Sequence, residues 1–218
     1  AGWDDEEYKR IEQSIQQPKL SEKVYAITSY GAKTTASAAQ NQKAINRAIS
    51  LASKKGGKVV IPAGTWNTGA IELKSGVNLV IEEGATLRFA FEPKLYPLVR
   101  TSWEGLACWN YSPCIYAYQA KDIAITGKGT IDGGGNNDTW WQWNGNPRFG
   151  FKAGVTTESQ KLGSRSKLLK QAEDGVAFDE RKFGMGQGLR PQLINFVRSE
   201  RILIKDVKMI NSPFWVIH

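Results

Sequence analysis

Short runs of alternating apolar and polar residues recur along this chain, with tight polar corners between them. One eleven-residue pattern occurs three times: N-L-V-I-E-E-G-A-T-L-R at 78–88, D-I-A-I-T-G-K-G-T-I-D at 122–132 and R-I-L-I-K-D-V-K-M-I-N at 201–211. Each copy reads as a strand, a corner and a second strand. A unit this small cannot bury its own apolar face, so it must stack on copies of itself, which is the logic of a solenoid. The expected ladders place Leu79, Ile123 and Ile202 at one level and Ile81, Ile125 and Ile204 at the next, all inside one apolar core with parallel strands. The copies are unequally spaced, so some coils carry long insertions. The third copy runs on into N-S-P-F-W-V-I-H at 211–218, so the stack is expected to be incomplete at its C-terminal end.

Before the repeats the pattern changes. Residues 4–17 read as a short amphipathic helix with Tyr8, Ile11 and Ile15 on one face. Residues 24–27 read as a first strand. Residues 38–54 give the clearest helix, with an apolar stripe of Ala44, Ile45, Ala48, Ile49 and Ala52 and a stop at Gly56-Gly57. Its place ahead of the strands suits a cap on the open end of the core. Further short strands follow at 59–61, 65–67 and 70–73. Residues 133–187 interrupt the repeat. They begin with three glycines, hold Trp140, Trp141 and Trp143, and carry a run of cations without an acid from Lys161 to Lys170. An excursion this long between coils is expected to be a mobile lid. The whole is read as one β-helix domain over 1–218, with the 38–54 helix as cap and 133–187 as insertion.

A chain of 218 residues supports one domain with a real core. No apolar window is long enough for a membrane span. The N-terminal stretch A-G-W-D-D-E-E is acidic and has no apolar h-region, so no signal peptide is visible. The formal net charge of +8 suits a polyanion, whether nucleic acid, membrane surface or acidic polysaccharide, or merely a solvated surface. The cations are dispersed rather than gathered in an arm, which argues against nucleic acid. Two cysteines, Cys108 and Cys114, are too few for a disulfide framework and read as separate thiols, with a local bridge left open. One histidine, at the end of the chain, gives no metal site. The glycines at 127–135 lack the spacing of a phosphate-binding loop and read as solenoid corners.

Several stretches resemble glycoside hydrolase family 28, the polygalacturonase-like enzymes. They are I-T-S-Y-G-A at 27–32, V-V-I-P-A-G-T-W-N-T-G-A-I-E-L-K-S at 59–75, N-L-V-I-E-E-G-A-T-L at 78–87, W-E-G at 103–105, N-Y-S-P at 110–113, I-T-G-K-G-T-I-D-G at 125–133, R-P at 190–191 and N-S-P-F-W at 211–215. They follow the family's order over most of the chain and are most similar to bacterial members, with exo or endo action left open. The resemblance implies an all-β fold, a right-handed parallel β-helix. It also implies inverting hydrolysis of α-linked galacturonan, needing no cofactor and no metal, by a secreted or periplasmic protein.

In the family's order the Asn-Thr-Asp-Gly, Asp-Asp, Gly-His-Gly and Arg-x-Lys motifs all follow the N-S-P-F-W coil, and none of them lies after that coil in this sequence. They are expected beyond residue 218, so no catalytic residue is assigned here and the missing C-terminal half is expected to be required. Glu104, Asp132, Asp138 and Asp179 read as surface or turn residues. Substrate contact is expected from Arg190, whose guanidinium suits a carboxylate. It is also expected from Trp215 and His218 beside the cleft, and from Gln192, Asn195, Trp103 and Tyr111. Superposing Ile123 on Ile202 places Tyr116 beneath Asn195. Two other readings remain: a pectate lyase-like enzyme, for which the acidic calcium cluster is not visible, and a non-catalytic β-helix that binds carbohydrate.

Overall fold

The computed structural model describes residues 17–156, 158–159 and 163–214. The expected helix at 4–17 and the residues Trp215 and His218 therefore lie outside the described residues, apart from Gln17. The coils lay their strands in three faces. The first face contains β1 (Val24–Ala26), β2 (Gly57–Ile61), β5 (Val77–Ile81), β10 (Lys121–Thr126) and β13 (Glu200–Ile204). The second contains β3 (Gly64–Thr68), β6 (Ala85–Phe89), β11 (Thr130–Asp132) and β14 (Lys208–Ile210). The third contains β4 (Ile71–Glu72), β9 (Ile115–Tyr118) and β12 (Ile194–Val197). All pairings within these faces are parallel. This is a parallel β-helix, as the repeat pattern demands.

The register departs from the expected one, and corner length is the reason. Leu79 pairs with Val59 on one side and with Ile125, not Ile123, on the other. The second copy has slipped by two residues, which keeps its apolar side chains inward because side chains alternate with period two. On the next face Leu87 pairs with Ile131 as the repeat predicts. The slip is absorbed between the faces, where Gly127 turns close over the coil below. A Cβ on Gly127 would sit 2.1 Å from the carbonyl oxygen of Ile81, and its φ of 97° is a conformation that favours glycine. The third copy matches the second on the first face, with Ile202 on Ile123 and Ile204 on Ile125. It is one residue shorter around the corner, so Met209 rather than Ile210 stacks on Ile131.

Leu79, Ile81, Ile123 and Ile125 are fully buried, and each contributes about 1.5–3 kcal/mol relative to exposure. Ile202 is half-buried and Ile204 is 40% exposed, because no described strand stacks on β13.

Helix α1 (Ala38–Ser53) covers the first coil. Ser37 caps it, its hydroxyl oxygen accepting from the Gln40 N–H at 3.1 Å. Ala44, Ile45, Ala48, Ile49 and Ala52 are its buried stripe. Its polar side chains answer backbone groups of β4 and its flanks: Asn46 accepts from the Glu72 N–H at 3.0 Å, and Gln42 donates to the carbonyls of Ala70, just before β4, and Leu95, both at 2.7 Å. An edge strand is thereby closed by side chains instead of another strand.

The first strand is shorter than expected: β1 ends at Ala26, and Ile27–Tyr30 form a 3₁₀ turn closed by Gly31. Two excursions leave the solenoid. One is an antiparallel hairpin, β7 (Leu98–Trp103) with β8 (Leu106–Tyr111), which the sequence pattern did not predict. Its two-residue turn is the Glu104-Gly105 of the W-E-G motif, both with positive φ (48° and 82°), the geometry that matches strand twist.

The other excursion follows β11 and holds 3₁₀ turns at Trp140–Asn144, Pro147–Phe149 and Phe178–Glu180 and a helix α2 (Ser164–Glu173). Its tryptophans are not on a loose lid. Trp140 and Trp143 are buried in the main core, edge-on to each other at 5.0 Å, and Trp140 also packs on Phe91 and Tyr96. Cys108 and Cys114 are free and buried. No described helix is long and apolar enough to cross a membrane.

Candidate functional site

The outer side of the third face meets the hairpin, and here the polar residues of the chain converge. On β12, Ile194 points into the core and Asn195, its neighbour, points out. Asn195 pairs with Tyr116 on β9, as superposition of the copies predicts. The Asn195 amide donates to Thr101 Oγ1 at 2.9 Å and to Gln192 Oε1 at 3.0 Å, and Thr101 Oγ1 donates to Gln192 Oε1 at 3.2 Å. The Gln192 amide donates to the Ser102 carbonyl at 2.9 Å, and the Tyr116 hydroxyl donates to the Arg100 carbonyl at 2.7 Å. The hairpin is thus fastened to the solenoid wall by a closed polar network. Networks of this kind fix geometry because each buried group has its partner.

Of the residues expected to contact substrate, Trp103, Tyr111, Arg190, Gln192 and Asn195 are each at most 5% exposed. Gln192 and Asn195 belong to the network just described. Trp103, Arg190 and Phe214 form a second cluster. The Arg190 guanidinium lies 4.9 Å from the Phe214 ring centre, and Phe214 stacks on Trp103 at 5.5 Å and 15°. Burial pulls Arg190 down to about 10, with Glu104 acting the other way, so it remains a cation at neutral pH. Tyr111 sits apart, donating to the buried carboxylate of Glu158 at 3.2 Å. Burial first, and then Glu158, raises the Tyr111 hydroxyl above its ordinary range. Glu158 also accepts from the Gly188 N–H at 3.1 Å.

Among the acids read as surface or turn groups, Glu104, Asp138 and Asp179 are exposed. Asp132 is not: it is buried, accepting from Arg88, the Gly134 N–H and Asn211 at 3.3, 2.9 and 3.2 Å. It ends β11 and holds the corner that follows.

Beside the network lies a cleft of about 400 Å³ bounded by Arg100, Thr101, Ser102, Ala107, Tyr118, Phe178, Asn195, Val197 and Arg198. Its lining holds two guanidinium groups and no carboxylate. Arg100 is held over Phe178 at 4.7 Å and near Trp109 and Tyr118 at 5.7 and 6.0 Å, and it donates to the Tyr118 hydroxyl at 3.3 Å and to Asp179 at 3.4 Å. Arg198 is exposed and forms no ion pair among the described residues. Sequence reasoning reached Asn195 through the repeat. It missed Arg100, Thr101, Tyr118, Phe178 and Arg198. The signal available for the hairpin members was the Glu104-Gly105 pair, a two-residue turn candidate between two short runs.

A parallel β-helix carrying a basic, aromatic-walled cleft on one face is the class that this fold and site define. No protein-family model matches the chain. It superposes on a hyperthermoactive exopolygalacturonase from Thermotoga maritima with a TM-score of 0.89 and 36% identity, covering 96% of this chain and 46% of that one. It is 28% identical over 188 residues to a probable polygalacturonase from Vitis vinifera, covering 82% of this chain and 30% of the relative. It is 35% identical over 124 residues to an exo-poly-alpha-D-galacturonosidase from Dickeya chrysanthemi, covering 52% of this chain and 20% of the relative. The resemblance to polygalacturonase-like proteins read from the motifs is therefore borne out, and so is the β-helix. The chain spans less than a third of the curated relatives it matches.

Proposed function

We propose that the protein carrying this chain hydrolyses α-linked galacturonan, acting at chain ends, outside the cytoplasm. The observation that carries this reading is the close superposition, at 36% identity over nearly the whole chain, on an exopolygalacturonase. The Dickeya relative, also named for exo action on galacturonan, supports it. The net charge of +8 and a cleft lined by guanidinium groups suit a polyanionic glycan better than a neutral one.

Inverting hydrolysis needs one carboxylic acid to protonate the leaving oxygen and another carboxylate to activate water on the opposite face. On this reading those carboxylates come from further coils of a longer protein, and that C-terminal half is needed for turnover. Residues 1–218 form one β-helix domain with the 38–54 helix as cap and 133–187 as insertion. Asn195 touches substrate at the cleft wall. Gln192 holds that wall in place, Trp103 and Arg190 with Phe214 and Tyr111 with Glu158 are buried supports outside its lining, and Trp215 and His218 border the cleft from the next coil.

The test is reducing-end release from polygalacturonate and from a neutral glucan by the full-length protein at matched concentration. Release from polygalacturonate alone, with monosaccharide as the early product, is the expected result. Equal or greater release from the neutral chain refutes the reading.

A further inference from the structure

Arg198 occupies an unusual corner. The chain turns from the third face to the first through a left-handed residue, Gln119 after β9 and Arg198 after β12, with φ of 51° and 49°. The two corners are stacked, since the Gln119 N–H donates to the Val197 carbonyl at 2.8 Å. Gly or Asn adopts this conformation at least cost, and a long side chain there costs on the order of 1 kcal/mol more. The backbone of this corner is fixed by the stack. It therefore projects the arginine stem at the cleft from a rigid element instead of a free loop.

Arg100 lines the same cleft, its guanidinium held among Phe178, Trp109 and Tyr118. Among the described residues, the exposed Asp179 alone offers Arg100 a carboxylate, and it is not part of the lining. The hydrogen-bonded Thr101 and Asn195 add polar lining, and Val197, Ala107 and the Phe178 ring supply apolar surface. Planar guanidinium forks bind carboxylates, and a ring face or aliphatic wall receives the C–H face of a pyranose. The volume of about 400 Å³ falls within the ~300–1,000 Å³ range of small-ligand sites. The cleft beside helix α1, by contrast, is lined by one cation, Lys74, and one carboxylate, Glu72, and carries no such excess of one sign.

We propose that this cleft is a subsite for one hexuronic acid residue, with Arg198 binding its carboxylate and Arg100 forming the cationic, aromatic-backed wall. The assignment rests on the galacturonan reading and adds to it the residues that select the acidic sugar.

The experiment is calorimetric binding of trigalacturonate, and of a neutral α-linked galactose trimer, to the full-length protein, its Arg198→Asn variant and its Arg198→Lys variant. Asn tolerates the left-handed corner, so the first variant removes the cation without straining the fold; Lys keeps the charge and loses the fork. Because Arg198 is open to solvent, the expected loss for Arg198→Asn on trigalacturonate is about three- to tenfold, with Arg198→Lys between. The difference should shrink at about 0.5 M salt, and the neutral trimer should not distinguish the three proteins. Unchanged binding by Arg198→Asn, an equal loss for the neutral trimer, or no binding of trigalacturonate to the wild type overturns the subsite. Hydrolysis of polygalacturonate measured alongside separates the two claims. Activity with no Arg198 dependence removes the subsite and leaves the activity. Arg198-dependent binding without hydrolysis does the reverse.

Discussion

Trp140 should be one of the most costly side chains in this protein to remove, although it lies in the insertion and not in a repeat strand. It is fully buried and packs edge-on against Phe91 at 4.8 Å, Tyr96 at 5.1 Å and Trp143 at 5.0 Å. Truncating a buried Trp or Phe to Ala costs about 3–5 kcal/mol, and edge-on aromatic pairs add about 0.5–1.5 kcal/mol each beyond area burial. Three such pairs place Trp140→Ala at the upper end, about 4–5 kcal/mol. Trp140→Phe should behave differently. The indole N–H is buried with no hydrogen-bond partner among the described residues, so Phe removes an unpaired donor while keeping much of the ring packing. Its expected cost is about 0–1.5 kcal/mol. Urea unfolding followed by circular dichroism at 218 nm (about the β-sheet minimum) reads both, with the midpoint shift at constant slope as the measure. A Trp140→Ala cost below about 1 kcal/mol would show that the insertion folds apart from the core, as a lid would.

The other predictions concern titrating groups. Asp122 is held down at about 2, below its ordinary 3.8, first by the Arg201 fork at 2.6 and 2.9 Å and then by the Lys19 N–H at 3.0 Å. A depressed carboxyl stabilises the fold above its unfolded value and loses that contribution as pH falls through the folded one. Asp122→Asn should therefore be less stable than wild type at neutral pH, with the gap closing between about pH 4 and pH 2, as followed by urea midpoints across that range. An unchanged gap at the acid end would discount the pair. Burial pushes the Cys108 thiol up to about 12 and raises Cys114 as well. Neither should react with a thiol reagent at about pH 8 in the native protein, and both should react on denaturation. Rapid native labelling of either would mean that its coil opens freely.

The β-helix was legible from residue pattern because its physics is local. A short alternating strand with a polar corner has one way to bury its face, and three copies of it specify the stack. Helix α1 was legible for the same reason, its stripe recurring with helical period up to the glycines. Repeat arithmetic even placed Asn195 over Tyr116, since both follow from one coil length. The register between the first two copies was not legible. It depends on how closely Gly127 can pass the Ile81 carbonyl, a contact between coils that no single strand encodes. The same holds for the insertion. Its tryptophans and cations read as a solvated lid, yet Trp140 and Trp143 fill a space that exists only once Phe91, Tyr96 and Tyr111 have been brought together. The cleft is the extreme case: Arg100, Phe178 and Arg198 stand far apart along the chain and meet only because the hairpin folds back on the third face. Periodicity reports which side of an element faces inward. It cannot report which distant elements will share a wall, because that is decided by packing across coils.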